Sequence, residues 1–302
     1  MPGLRGVYNI LSTPFRPDGS LDEASLRRLT EATIGMGVDG ITVLGVAGEA
    51  QKLLPEERRR LTEIVMEVAA GRVPIIVGTS HDGTEATIAA SREAQAAGAA
   101  GVMVAPPTFL QPGPALTRHY ERVAAAIDIP IVLQDFPPVN GVTLSPRAMA
   151  DLVRAVPAIT TIKLEDPPTP QRTAQTLELL EGRATIVGGL GGMYLLDELR
   201  RGASGTMTGF AYPEILVRIW RAWEAGDRAE AEATYYRYLP LLVFEGQPKL
   251  GVAIRKEILR RRGLIDYAVL REPGPRLDDG IREDLEATLR ALAIEDVYPP
   301  LS

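Results

Sequence analysis

Short apolar runs alternate with longer amphipathic segments along most of this chain, and the alternation repeats about eight times before a purely helical tail. The strand-like runs are Gly6 to Phe15, Gly40 to Leu44, Val73 to Gly78, Gly101 to Ala105, Ile129 to Gln134, a sixth run beginning at Ala158, Ala184 to Val187, and Gly205 to Gly209. Between them the 3.6-residue pattern predicts helices over Leu21 to Met36, a segment opening near Pro55-Glu56-Glu57, Thr84 to Ala97, Leu116 to Ile127, Ser145 to Ala155, Gln171 to Glu181, Met193 to Arg201 and Pro213 to Ala225. Proline in the first turn followed by acidic residues, as at Pro55, is a helix-start signal. Eight β-α units in roughly 220 residues, joined by short loops, fit a (β/α)8 TIM barrel better than an open doubly wound sheet. The tail adds helical segments over Ala229 to Phe244, Pro248 to Arg262 and Arg282 to Leu292. It has no strand-like run, so the expected organisation is a barrel over residues 1–226 with a helical extension, 227–302, packed on its outside or forming a subunit interface.

The sixth run, Ala158-Ile159-Thr160-Thr161-Ile162-Lys163-Leu164-Glu165-Asp166-Pro167-Pro168, carries the anomaly. It is apolar and β-branched, follows Pro157 and is closed by two prolines, so it reads as a buried strand with Lys163 at its far end. Lysine occurs only at Lys52, Lys163, Lys249 and Lys256, although lysine and arginine together number 33. Burial disfavours an ammonium ion, and a lysine held neutral is a nucleophile. Side chains alternate along a strand, so Glu165 shares the face of Lys163, roughly 6–7 Å further on. A buried ion pair, or a strand-end lysine that snorkels to water, would account for the same residues.

Composition narrows the chemistry. At 302 residues, 45% hydrophobic and 24% charged, the chain reads as an ordinary globular protein. A net charge of -6 argues against a nucleic-acid or anionic-membrane surface as the main partner. The absence of cysteine excludes disulfides, thiolate metal sites and a cysteine nucleophile. Two histidines, His81 and His119, stand in different segments and are too few for most zinc sites. Met1-Pro2-Gly3-Leu4-Arg5 leads directly into a strand-like run, and no apolar stretch is long enough to cross a bilayer, so the expected location is the cytoplasm. The basic clusters Arg58-Arg59-Arg60 and Arg255 to Arg262 lie on predicted helices among acidic residues and read as solvated or salt-bridged faces.

A barrel of this kind gathers its site at the carboxyl ends of its strands. Strand two ends in Gly45-Val46-Ala47-Gly48-Glu49, where glycines let backbone amides approach an anion, or simply permit a tight turn. Glu49 suits a loop glutamate that ties down neighbouring backbone better than a catalytic acid. Strand five ends in Gln134-Asp135. Strand seven ends in Gly188-Gly189-Leu190-Gly191-Gly192, which lacks the residues that complete a P-loop and instead leaves room for a substrate chain. Thr208 stands at the end of strand eight. His81 lies just beyond strand three, as a pocket residue or an exposed loop histidine, and His119 falls in the fourth helix as a structural residue.

Taken together, Thr13-Pro14-Phe15, the Gly45-x-x-Gly48-Glu49 loop followed by Leu54 and Glu56-Glu57-Arg58, the turn at Pro137 with Gly141, and Ile162-Lys163 resemble the dihydrodipicolinate synthase and N-acetylneuraminate lyase superfamily. The resemblance runs from Gly6 through the terminal helices. It implies that Lys163 forms a Schiff base with the keto carbon of a 2-oxo acid, an electron sink for C–C or C–O cleavage. No metal or organic cofactor is implied, and the family suggests a homotetramer or homodimer.

The departures point to a subgroup. The two threonines usual in the strand-two loop are replaced by Val46 and Ala47, which removes their hydroxyl contacts to the carboxylate. The relay tyrosine at the end of strand five is replaced by Gln134, the arginine a few residues on by Val139, and the tyrosine of the strand-four loop falls at Thr108 or Phe109. Glutamine cannot shuttle protons, which leaves Glu165 as the acid/base. This Lys-x-Glu arrangement resembles the sugar-acid dehydratases that remove water from 2-keto-3-deoxy aldonic acids. The resulting expectation is a lyase with Lys163 and Glu165 as catalytic residues and Val46, Ala47, Gly48, Gln134, Gly189, Gly191 and Thr208 around a small 2-oxo acid. The alternatives are a dehydratase or an aldolase of a keto-deoxy sugar acid, dihydrodipicolinate synthase itself, or a catalytically silent barrel that binds a carboxylate.

Overall fold

The computed structural model describes residues 3–299, so the outermost ends of the two expected segments, 1–2 and 300–302, lie outside the described residues. Eight parallel strands form the sheet: β1 (Gly6–Ile10), β2 (Gly40–Val43), β3 (Ile75–Gly78), β4 (Gly101–Val104), β5 (Ile131–Asp135), β6 (Ile159–Leu164), β7 (Thr185–Val187) and β8 (Gly205–Thr208). Each strand from β1 to β6 pairs with the next in sequence, and β8 returns to pair with β1. A bridge between Gly188 and Thr206 joins β7 to β8 and closes the barrel. Closure leaves no free sheet edge, so every strand can be short and wholly buried.

The period-2 alternation of each strand makes two cores. Outward residues such as Ile41, Val77, Val104, Leu133, Ile162 and Ile186 pack against the surrounding helices, and burying each such side chain contributes about 1.5–3 kcal/mol. Inward residues Tyr8, Ile10, Ile76, Met103, Val132, Val187 and Met207 fill the barrel, with Leu4 packed beneath them. Leu4 N–H donates to Thr161 Oγ1 at 2.9 Å, which pins the amino-terminal stretch across the bottom.

The helices follow the expected pattern, with trimmed ends. They are α1 (Glu23–Gly35), α2 (Pro55–Ala69), α3 (Thr84–Ala96), α4 (Pro114–Ala124), a short turn α5 (Pro137–Asn140), α6 (Pro146–Ala155), α7 (Thr169–Leu180), α8 (Leu195–Arg200) and α9 (Pro213–Glu224). Asp22 and Ser145 cap α1 and α6 by accepting from Ser25 N–H and Ala148 N–H, which satisfies donors left over at those helix starts. The first strand is shorter than the apolar run suggests. It stops at Ile10, and the chain continues as an irregular rim segment in which Thr13 Oγ1 donates to Gly48 O and Pro14 has no N–H for a ladder.

Beyond the barrel lie α10 (Arg228–Glu245), α11 (Gly251–Arg261), α12 (Asp279–Ala291) and α13 (Ile294–Val297). Helix α10 packs on α9, and α11 follows it back across the barrel. The extension does more than cover the outside. Lys256 of α11 reaches Glu49 in the strand-two loop, and Arg271 binds Glu57 and Gly19 O. The basic cluster on this helix is salt-bridged throughout its buried part, with Arg255 on Glu245, Lys256 on Glu49 and Arg262 on Glu214.

Candidate active site

Strand β6 delivers the central pair. Ile162 and Leu164 face the outer core, so Lys163 and Glu165 face inward at the carboxyl end of the barrel. Lys163 Nζ lies 2.6 Å from Glu165 Oε2, and the two residues are 2% and 4% exposed. Gln134, the register partner of Lys163 on β5, donates from Nε2 to the same Glu165 oxygen at 3.2 Å. The other oxygen, Oε1, accepts from Leu190 N–H at 3.3 Å. Two neutral donors and one amine thus hold the carboxylate in place. A proton passed along the 2.6 Å contact leaves a neutral amine beside a carboxylic acid, the state a nucleophilic lysine needs.

Each expected binding residue has a definite position. Val46, Ala47 and Gly48 form a single 3-10 turn, in which Gly48 N–H donates to Gly45 O and Glu49 N–H to Val46 O. The first two residues of such a turn keep amides without an internal partner, so Val46 and Ala47 offer N–H groups to an anion. Gln134 touches the pair directly. Gly189 has no side chain because Glu165 occupies the space: a Cβ there would overlap Glu165 Oε1 and Cγ. Gly191 has a φ of 70°, which favours glycine, and its N–H donates to Thr208 Oγ1 at 2.8 Å. Thr208 therefore braces the loop after β7.

A cleft of about 520 Å3 opens at the carboxyl face, lined by Gly45, Val46, Met103, His81, Gln134 and Asn140 among others. Its wall includes Gln134, and Lys163 and Glu165 lie behind that side chain. Lys163 and Glu165 do not line this cleft themselves, nor do Gly189, Gly191 and Thr208. His81 belongs to this cleft, with Nε2 3.3 Å from an Arg58 nitrogen. Burial, then Arg58, holds its imidazole below the ordinary histidine range. His119 is structural: it is buried, with Nδ1 3.0 Å from Thr84 Oγ1 and its ring edge-on to Tyr120.

Glu49 does not bind the backbone of its own loop with its side chain, contrary to the expectation from sequence. Its Oε1 accepts from Lys256 and its Oε2 from Lys52 at 2.8 Å and from Arg271 N–H at 3.2 Å, so it fastens the tail to the mouth. Burial pulls the Lys256 ammonium down to about 8, opposed by the charge of Glu49.

Three charged groups near the site were not expected from the sequence. Asp135, next to Gln134, faces outward, where burial pushes its carboxyl up to about 7 against the pull of Arg172, whose guanidinium is 3.3 Å away. Glu198 of α8 is 0% exposed and stands behind Gly188, where an added Cβ would overlap its Oε2. Burial pushes the Glu198 carboxyl up to about 8, offset by the 2.5 Å hydrogen bond from Thr169 and reinforced by the charge of Glu165. Arg255 of α11 is 7% exposed and reaches Gly209 at the end of β8. The signal for Glu198 and Arg255 is a charge set inside an apolar helical stripe, Leu195-Leu196 to Leu199 and Ile254 to Ile258.

Among the described residues no helix is long and apolar enough to cross a membrane. The chain is 36% identical over 298 residues to the L-2-keto-3-deoxyarabonate dehydratase of Azospirillum brasilense, an alignment covering 96% of this chain and 95% of the relative. Its fold superposes on the crystal structure of dihydrodipicolinate synthase from Rhodopseudomonas palustris with a TM-score of 0.89 and 34% identity, covering 96% and 99% of the two chains. It matches a prophage protein of Escherichia coli K12, solved in complex with pyruvate, with a TM-score of 0.90 at 28% identity over 96% and 99% of the chains. The dihydrodipicolinate synthetase family model aligns with residues 3–292, nearly the whole chain, and this chain belongs to that family.

Proposed function

We propose that the protein is a Schiff-base lyase that dehydrates a 2-keto-3-deoxy sugar acid, with Lys163 as nucleophile and Glu165 as acid/base. The observation that carries this reading is the buried contact of 2.6 Å between the two groups at the carboxyl end of β6, beside Gln134 in the cleft wall. The similarity to a keto-deoxyarabonate dehydratase over nearly the whole chain supports the substrate class.

The chemistry balances within the pair. The neutral Lys163 amine adds to the C2 carbonyl, and loss of water gives a protonated imine. Glu165, as carboxylate, takes a proton from C3, and the electron pair moves into the imine to form an enamine. The enamine returns that pair and expels the C4 hydroxyl, which leaves as water with the proton held by Glu165. Hydrolysis of the unsaturated imine then restores the amine. Val46 and Ala47 N–H groups are placed to receive the carboxylate, and the loop at Gly189, Gly191 and Thr208 borders the space for the sugar chain. The same reading places the protein in the cytoplasm as a homotetramer or homodimer, with a barrel over 1–226 and its extension over 227–302.

Borohydride reduction in the presence of pyruvate or a keto-deoxy pentonate, followed by peptide mass analysis, tests the reading. An adduct on Lys163 and release of an unsaturated or tautomerised keto acid are expected. No adduct with any 2-oxo acid would sink it.

A further inference from the structure

We propose that Arg255 is the cation that grips the carboxylate of the 2-oxo acid substrate, in the place where this chain has no hydroxyl side chains to do so. The inference rests on the reading of Lys163 as the imine-forming amine, and it adds the second point at which the substrate is held.

Gly209, at the end of β8, continues the inward-facing series of Gly205 and Met207. A Cβ built on Gly209 would overlap Arg255 Nη1 and would lie 3.2 Å from the Cβ of Ala47. The guanidinium of a residue on α11 therefore occupies the mouth of the barrel, against the strand-two turn. Ala47 in turn packs on the interior cluster that includes Ile10, Met103 and Met207. That wall is apolar, and a carboxylate brought down on it loses its water without a partner unless a fixed cation or donors stand at the rim.

Arg255 is built for that duty. Its Nε donates to Glu245 Oε1 at 2.5 Å, and this is its only hydrogen bond among the described residues. Glu245 is itself fixed, because its Oε2 accepts from Ala211 N–H at 3.0 Å. The pair is buried, so one edge of the guanidinium is anchored and the terminal nitrogens remain for an incoming anion. A planar guanidinium can donate two parallel hydrogen bonds to a carboxylate, which fixes orientation as well as charge. The arginine that lines the 520 Å3 cleft is already engaged: Arg58 donates from Nη2 to Ala50 O, with Nη1 near His81. Val46 and Ala47 carry no hydroxyl, and it is the Ala47 side chain that borders the same Gly209 position as Arg255 Nη1.

The test compares pyruvate with pyruvamide, which keeps the ketone and shape but not the charge, on the full chain. Binding is read by titration calorimetry and imine formation by borohydride trapping on Lys163. In the unaltered protein pyruvate is expected to bind at least tenfold more tightly than pyruvamide. In Arg255→Met the pyruvate half-saturation should rise at least tenfold while that of pyruvamide stays within twofold, and Arg255→Lys should fall between. If R255M does not fold, judged by its thermal melt, R255K carries the comparison, because it keeps the charge and loses the planar fork.

A pyruvate constant that R255M and R255K leave unchanged, or an equal shift for both compounds, overturns the role of Arg255 while trapping on Lys163 still upholds the lyase. Binding of pyruvate that depends on Arg255 without any trapped adduct upholds Arg255 and overturns the imine. Neither binding nor adduct overturns both.

Discussion

Gly189 is a glycine because of Glu165: the carboxylate fills the volume that any side chain at position 189 would take. A Cβ there would come within 2.6 Å of three Glu165 side-chain atoms, so space alone is a constraint on the residue at this position. Strand seven's loop and strand six's carboxylate are thus a fitted pair, and Gly189 sets the position of the Glu165 carboxylate.

Gly189→Ala should displace the Glu165 carboxylate from Lys163 and Leu190. Overpacking of this kind costs about 1–3 kcal/mol, within the range a folded barrel tolerates. Turnover should fall at least tenfold while circular dichroism stays native. A variant with full activity would show that the carboxylate position is not critical.

Glu165→Gln separates the two roles proposed for Lys163 and Glu165. The amide fills the same space but takes no proton from Lys163, so borohydride should still trap pyruvate, more slowly and faster again as solution pH is raised. Dehydration should drop about 100- to 10,000-fold, the usual worth of a positioned acid/base. Turnover within a factor of three of the parent would assign the proton transfer to another group.

Glu198 should make stability depend on pH. Its folded carboxyl titrates at about 8, well above the ordinary glutamate range, because burial disfavours the anion. Between the two values the folded state binds the proton and the unfolded state does not, so stability falls as pH rises from about 4.5 to about 8 and then levels. One such group contributes a slope of at most about 1.4 kcal/mol per pH unit. Urea denaturation from pH 5 to pH 8 should give a shallower slope for Glu198→Gln than for the parent. Equal slopes would mean that Glu198 does not hold the proton.

Lys256 and Glu49 should behave as one unit. Lys256→Met leaves Glu49 with Lys52 and the Arg271 amide but removes its fully buried partner, a change that typically costs about 3–5 kcal/mol. Adding Glu49→Gln should recover part of that loss. A double variant as destabilised as the sum of the single ones would show that the pair is not coupled.

The barrel was legible because its signal is periodic and local. Apolar runs bounded by glycine and proline gave strands β2 to β8 within a few residues, and helix starts at Pro55 and Ser145 were marked by their own chemistry. The first strand was over-extended, because Leu11 to Phe15 is buried by the rim and not by a ladder. The scarcity of lysine was a sound guide: Lys163, Lys52 and Lys256 all end on buried carboxylates. Glu49 suits a brace for its own loop in sequence, yet only Lys52 among its partners is local, and the other two, Lys256 and Arg271, lie more than two hundred positions away.

Hydrophobic period and residue type, which act over one turn of helix or one strand, are properties of the sequence alone, and they determined the eight units, the face shared by Lys163 and Glu165, and the loss of hydroxyls at Val46 and Ala47. Only closure of the barrel decided that Glu165 would take the space of Gly189, that Glu198 would be fully buried behind Gly188, and that Arg255 would arrive at Gly209. Those relationships depend on distance and desolvation between segments far apart in the chain, and neither exists until the strands and the terminal helices are packed together.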